Sequence, residues 1–312
     1  MAQQLAIETS GLTKRFGDQK AVNSISLEVP SGSVFGFLGP NGSGKTTTIR
    51  MLLGLAEATE GEIKLLGTEI PKDLEKALPR VGALVEGPAF YPFMSGRNNL
   101  LRIDAADRFS DSSTRIERVE SALDRVGLHN AGNKKVHAYS LGMKQRLGLA
   151  NALLKPRDIL VLDEPTNGLD PQGTREVRNL IRSLSAEGIT IFLSSHLLSE
   201  IEMLCSHVAV MSAGKIVAQG LIEDLRNEEP TRLILRTDDV DLAVETLKSA
   251  GIGKAKILGD QITCEVDPAL DVASLNSKLV RKKVSVKEIR LQRSSLEEKY
   301  VKLTGEGFEV VR

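Results

Sequence analysis

Residues 39–47 read Gly39-Pro40-Asn41-Gly42-Ser43-Gly44-Lys45-Thr46-Thr47, a glycine-rich turn running into lysine and threonines. These residue types at this spacing form a phosphate-binding loop. Glycines let the backbone turn its N–H groups inward, a helix beginning near Lys45 adds its positive end, and the Lys45 ammonium reaches terminal phosphates. The Thr46 hydroxyl is then placed to hold Mg²⁺. A glycine-rich turn can also simply cap a helix, so its surroundings decide between the two.

A second group of acids stands at Asp163 and Glu164, which end the apolar run Ile159 to Leu162. In open α/β sheets ligands collect at the carboxyl ends of strands. There Asp163 suits a place behind Mg²⁺, and Glu164 suits a general base that polarises an attacking water. Two acids can also merely close a strand beside Pro165, a reading that the phosphate loop in the same chain disfavours. Other polar residues carry two readings each. Ser140 is a natural N-cap for a helix from Leu141 onward, and Asp170 before Pro171 is an N-cap followed by an N1 proline. His196 lies just past a buried strand, where a lone histidine is more often a structural partner than a catalyst. Phe16 is either a core aromatic or a stacking surface.

The elements that must hold these residues follow from hydrophobic spacing. Strands are expected at Leu5 to Glu8, Ala21 to Val29, Val34 to Leu38, Glu62 to Leu66, Val81 to Val85, Ile159 to Leu162 and Ile189 to Leu193. Helices are expected from Thr46 to Leu55 and from Pro171. Residues 87–157 read as a mostly helical insert, with Ile116, Val119, Leu123 and Val126 on one face and Leu147, Ala150 and Leu154 on another. Apolar runs alternating with helices predict an α/β fold, a parallel sheet covered on both faces. Past residue 225 a polar stretch, Arg226 to Pro230, introduces β-α-β-β-α-β and a closing helix near Leu296 to Leu303. That is the ferredoxin-like order. Two domains are therefore expected, 1–225 and 226–312.

Composition narrows the function classes. With 312 residues, 41% of them hydrophobic, the chain can bury one substantial core and a smaller one. Lys plus Arg and Asp plus Glu both total 41, so no global field draws in nucleic acid, and no nucleic-acid partner is expected. Cys205 and Cys264 lie outside any metal-ligand spacing. Neither the N-terminal residues nor any later run resembles a leader or a span of roughly 18 apolar residues, so any membrane role is expected to come through a partner.

The same motifs in the same order resemble an ABC ATPase over roughly residues 5–220. After the phosphate loop come Tyr139-Ser140-Leu141-Gly142-Met143-Lys144-Gln145-Arg146, then Asp163-Glu164, then Gly168-Leu169-Asp170, then Ser194-Ser195-His196. The resemblance implies a P-loop NTPase of ABC type, with an antiparallel β subdomain and a helical subdomain, that binds and hydrolyses ATP with Mg²⁺. It implies that Phe16 stacks on adenine, and that Ser140, Gly142 and Asp170 act across a homodimer on the partner's nucleotide. It also implies that His196 contacts the γ-phosphate and positions Glu164. A kinase or GTPase explains neither Gly168-Leu169-Asp170 nor His196.

Two departures from the common pattern stand out. The signature keeps its serine and second glycine but has Leu141 and Met143 where glycine and glutamine are usual. Glu86 takes the place usually held by a glutamine that can offer oxygen to Mg²⁺. With Gly87-Pro88-Ala89-Phe90-Tyr91-Pro92, it resembles the branch of bacitracin-export and lantibiotic-immunity ATPases. Phe90, Tyr91, Phe93 and Met94 are then either core or a socket for a membrane permease subunit. The implied role is an exporter ATPase held on the inner face of the cell membrane by that permease. The rival is a soluble assembly or scaffold ATPase.

Overall fold

The computed structural model describes residues 4–86, 89–227 and 231–292. The chain divides after Ile222 into two compact units. In chain order the first contains β1 (Leu5–Phe16), β2 (Gln19–Pro30), β3 (Val34–Leu38), α1 (Lys45–Leu52), β4 (Glu60–Leu65), β5 (Thr68–Ile70), α2 (Leu74–Ala77) and β6 (Val81–Leu84). It continues with α3 (Gly96–Ala106), α4 (Arg115–Arg125), α5 (Leu141–Ala152), β7 (Ile159–Leu162), α6 (Pro171–Ala186), β8 (Thr190–Ser195), α7 (Leu198–Leu204), β9 (His207–Ser212) and β10 (Lys215–Leu221). A short helix, α8 (Ile222–Asn227), follows.

The central sheet runs β10-β9-β3-β8-β7-β6. All its neighbours pair in parallel except the edge strand β10, which is antiparallel to β9. Every residue of β3, β7 and β8 is buried, as strands covered on both faces require. Phe192 on β8 stacks on Phe35 of β3 and meets Phe37 of the same strand at a tilt, with ring centroids 5.8 and 5.5 Å away. Such pairs contribute about 0.5–1.5 kcal/mol each beyond their area. They lock together the two strands whose ends carry the phosphate loop and His196.

A second, antiparallel sheet runs β2-β1-β4-β5. β1 extends to Phe16, eight residues beyond the expected end at Glu8, through a polar stretch that alternation alone does not mark as strand. Buried threonines explain the continuation. Thr9 Oγ1 donates to Ile25 O and accepts from Leu27 N–H, and Thr13 Oγ1 accepts from Ser24 N–H, so hydroxyls bridge the register shifts in the pairing with β2.

Between β6 and β7 the chain is mostly helical. Val119, Leu123 and Val126 are buried as spaced, whereas Ile116, in the first turn of α4, is exposed. Asp104 on α3 is buried and ion-paired to Arg115 and Arg118 of α4 at 3.1 and 2.7 Å, which staples the two helices. Among the described residues no helix is long and apolar enough to cross a membrane.

The second unit contains β11 (Thr231–Thr237), α9 (Val240–Ser249), β12 (Lys256–Leu258), β13 (Gln261–Val266), α10 (Val272–Arg281) and β14 (Val286–Gln292). Its sheet order, β12-β13-β11-β14 with every pair antiparallel, is the ferredoxin-like arrangement. Leu233, Leu235 and Ile262 meet Ala243, Leu247, Leu275 and Leu279 in its own core. The closing helix expected near Leu296 lies outside the described residues.

Candidate nucleotide site

Three strand ends converge. β3 ends at Leu38 and feeds the phosphate loop, β7 ends before Asp163, and β8 ends at Ser195 beside His196. Two glycines of the loop are dictated by close approach. A side chain at Gly39 would strike Met211 O, and one at Gly44, whose φ is 107°, would strike Ala21 O. Gly42, also at positive φ, faces open space, and Asn41 beside it is exposed. Gly44 leaves the N-terminus of α1 with no side-chain cap, so first-turn N–H groups there remain available to an anion.

Lys45 is buried. Its ammonium donates to the loop's own carbonyls, Gly39 O at 2.8 Å and Pro40 O at 3.2 Å, and lies 3.5 Å from Glu164 Oε1. Burial pulls the Lys45 pKa below its ordinary value, against the opposing pull of Glu164 and Asp163. Thr46 Oγ1 donates to Asp163 Oδ2 at 2.8 Å, which pins the hydroxyl proton and leaves its lone pairs for a cation. Ser194 Oγ donates to Asp163 Oδ1 at 2.5 Å and accepts Glu164 N–H at 2.9 Å. That last bond holds Glu164 at a φ of 47°, a left-handed conformation that a non-glycine residue adopts only when its surroundings compensate. Glu164 Oε2 meets His196 Nδ1 at 2.8 Å. An ionised carboxylate only accepts, so Nδ1 carries the proton.

Other predicted residues lie elsewhere. Phe16 ends β1 and is 55% exposed, with the Lys14 ammonium 5.2 Å from its ring centroid, so it is not a core aromatic. Ser140 caps α5 by accepting Met143 N–H, and Asp170 caps α6 by accepting Gly173 N–H. Leu141 packs toward Gly168, and Gly142 toward Leu169. Among the described residues no hydrogen bond or ion pair joins Ser140, Gly142 or Asp170 to residues 39–47. Glu86, expected to hold Mg²⁺, engages Arg50, one turn beyond Thr46 on α1. Both members of that pair are solvent-exposed.

Residues 22–167 match the ABC transporter family. Among curated proteins, the bacitracin transport ATP-binding protein BcrA of Bacillus licheniformis is 42% identical over 96% of this chain and 98% of its own length. The chain belongs to the ABC transporter ATP-binding family. The lantibiotic transport ATP-binding protein SrtF of Streptococcus pyogenes is 36% identical over 72% of this chain and 94% of its own. A solved nucleotide-free ATP-binding cassette from an ABC transporter aligns with a TM-score of 0.65 and 26% identity, over 72% of this chain and 94% of that one.

This ABC cassette is an ATPase that uses Mg²⁺, and its site fits that pair. Ser43 Oγ and Glu164 Oε1 are buried without a hydrogen-bond partner, the α1 N-terminus is uncapped, and Thr46 and Asp163 offer hard oxygen donors of the kind Mg²⁺ takes. Two residues without a motif role of their own also belong here. Ser194 joins Asp163 to Glu164, and Arg50 holds Glu86. Ser194 opens the Ser194-Ser195-His196 motif. Arg50 carried no motif signal beyond its position one helical turn after Thr46.

Proposed function

We propose that the chain powers export of peptide antimicrobials of the bacitracin or lantibiotic kind, as one of two cassettes on a separate membrane permease. The observation that carries the substrate class is the 42% identity to a bacitracin transport ATP-binding protein across nearly the whole chain, second unit included. The SrtF match stops at 72% of this chain.

In this reading the ATP phosphates enter the loop, and Lys45 exchanges the Gly39 and Pro40 carbonyls for phosphate oxygens. Backbone N–H groups of residues 42–47 close on the same oxygens, with Gly39, Pro40, Asn41 and Ser43 shaping the turn. Phe16 stacks on adenine. Thr46 and Asp163, already joined by a hydrogen bond, would hold Mg²⁺. The bound ion would supply positive charge that offsets the charge of the phosphates. Glu164 takes a proton from the attacking water, oriented by His196. Ser140 and Gly142 start α5 in a way that serves a partner: the cap uses a lone pair of the serine oxygen, so its proton stays free for the γ-phosphate on the second copy. Asp170 adds its contact across the same interface.

The permease is expected to dock at the segment ahead of α3. Tyr91 and Phe93 are exposed there, and the segment is held firm by buried Asn99, which bonds the backbone of Tyr91 and Ser95. The test is to express the chain together with the permease subunit of a bacitracin or lantibiotic transporter in a sensitive host. Protection against bacitracin or a lantibiotic, lost in Glu164→Gln, supports the reading. No protection with both proteins present in the membrane overturns the substrate class.

A further inference from the structure

Glu164 and His196 hang from two different strands, and their 2.8 Å contact depends on how the loops after β7 and β8 are held together. Beside Ser194, a second buried group joins those loops. Glu200, in the first turn of α7, is 4% exposed. Its Oε2 accepts from Thr166 Oγ1 at 2.5 Å and from Ser195 Oγ at 3.2 Å, and its Oε1 lies 3.5 Å from Arg178 Nη2 on α6. Thr166 is two residues after Glu164, and Ser195 is the residue before His196.

The stapling extends further. With its proton directed at Glu200, Ser195 Oγ also accepts Leu197 N–H at 3.0 Å, so the backbone on both sides of His196 is fixed. Arg178 belongs to the helix that Asp170 caps, which ties a third loop to the same carboxylate. A buried ion pair is a poor source of stability, since replacing both partners together by apolar residues is often neutral or stabilising. The charge at Glu200 is therefore better accounted for by the geometry it imposes than by stability. We infer that Glu200 is a positioning residue that sets the Glu164–His196 contact by clamping Thr166 and Ser195. It acts through those hydroxyls and does not touch the nucleotide.

This inference rests on the reading of Glu164 and His196 as the reacting pair, so those variants are measured beside it in the full-length chain. Displacing a reacting group by about 1 Å can cost up to ~10²-fold in rate. Glu200→Ala is expected to lower kcat at least about tenfold with KM for ATP within about twofold. Glu200→Gln, whose amide oxygen still accepts both hydroxyls, should recover most of that loss. In a His196→Ala background Glu200→Ala should cost less than about twofold more, because the contact it protects is already gone. Unchanged kcat in Glu200→Ala, or an equal drop in both backgrounds, would overturn the inference. Should Glu200→Ala fail to fold, Thr166→Val and Ser195→Ala remove one arm of the clamp each and carry the same test. If Glu164→Gln and His196→Ala themselves leave turnover intact, the assignment of the reacting pair is wrong and the inference falls with it. If they abolish it while the clamp variants do not, only the clamp is wrong.

Discussion

Glu164 Oε2 and His196 Nδ1 stand 2.8 Å apart although 32 positions separate them in sequence. Glu164→Gln preserves an oxygen for the imidazole but removes the base. Hydrolysis should fall about 10² to 10⁴-fold while ATP affinity changes little. The variant should also accumulate an ATP-dependent dimer, read by size-exclusion chromatography with Mg²⁺. A monomer under those conditions would count against the two-copy mechanism.

Lys45 is the buried cation of the loop, 3.5 Å from Glu164 Oε1. A charge-assisted phosphate contact contributes about 1.5–3 kcal/mol, so Lys45→Ala should weaken ATP binding by about ten- to 150-fold in calorimetry. Undiminished affinity would remove Lys45 from the phosphate site.

Phe16 is exposed, so Phe16→Ala should leave the melting temperature unchanged. If the ring stacks on adenine, the variant loses about 1–3 kcal/mol of ATP binding and nothing for inorganic tripolyphosphate, which has no base. Equal losses for both ligands would rule out stacking.

Glu86 pairs with Arg50 at the surface, and exposed pairs of this kind contribute about 0–1 kcal/mol. Glu86→Gln should therefore fold normally and keep basal ATPase activity within about tenfold, or ~1.4 kcal/mol of barrier. Resistance in cells should fall further than hydrolysis. Loss of both activities would make Glu86 a direct participant, and loss of neither would leave it a surface carboxylate.

Asp104 gives the first unit a pH signature. Burial alone would raise its pKa, but hydrogen bonds from Arg118, Ser110 and Arg115 prevail and hold it below the ordinary carboxylate range. Its stabilisation is thus complete above about pH 4, the unfolded value, and lost as pH falls through the folded one. Asp104→Asn should cost about 3–5 kcal/mol at pH 7, and the gap to wild type should narrow at pH 3 in scanning calorimetry. A gap of constant size would show that the charge is not the cause.

What the sequence determined by itself was chemistry carried by consecutive residues. Gly39 to Thr47 announce a phosphate loop because backbone conformation, helix start and side-chain reach are all set within nine positions. Asp163-Glu164 announce strand-end carboxylates, and the apolar runs of β3, β7 and β8 announce buried parallel strands. Tertiary structure decided which side chains share a partner. Ser194 between Asp163 and Glu164, Glu200 between Thr166 and Ser195, and Arg50 on Glu86 are juxtapositions made when separate strand ends and helices meet. Local periodicity carries no record of them. Phe16 shows the division most plainly: sequence offered a core ring or a stacking surface, and only its place at the open end of β1 exposed it. β1 itself outran its apolar pattern because the buried hydroxyls of Thr9 and Thr13 find backbone partners on β2, and for Thr9 both partners, Ile25 and Leu27, come from pairing across the sheet.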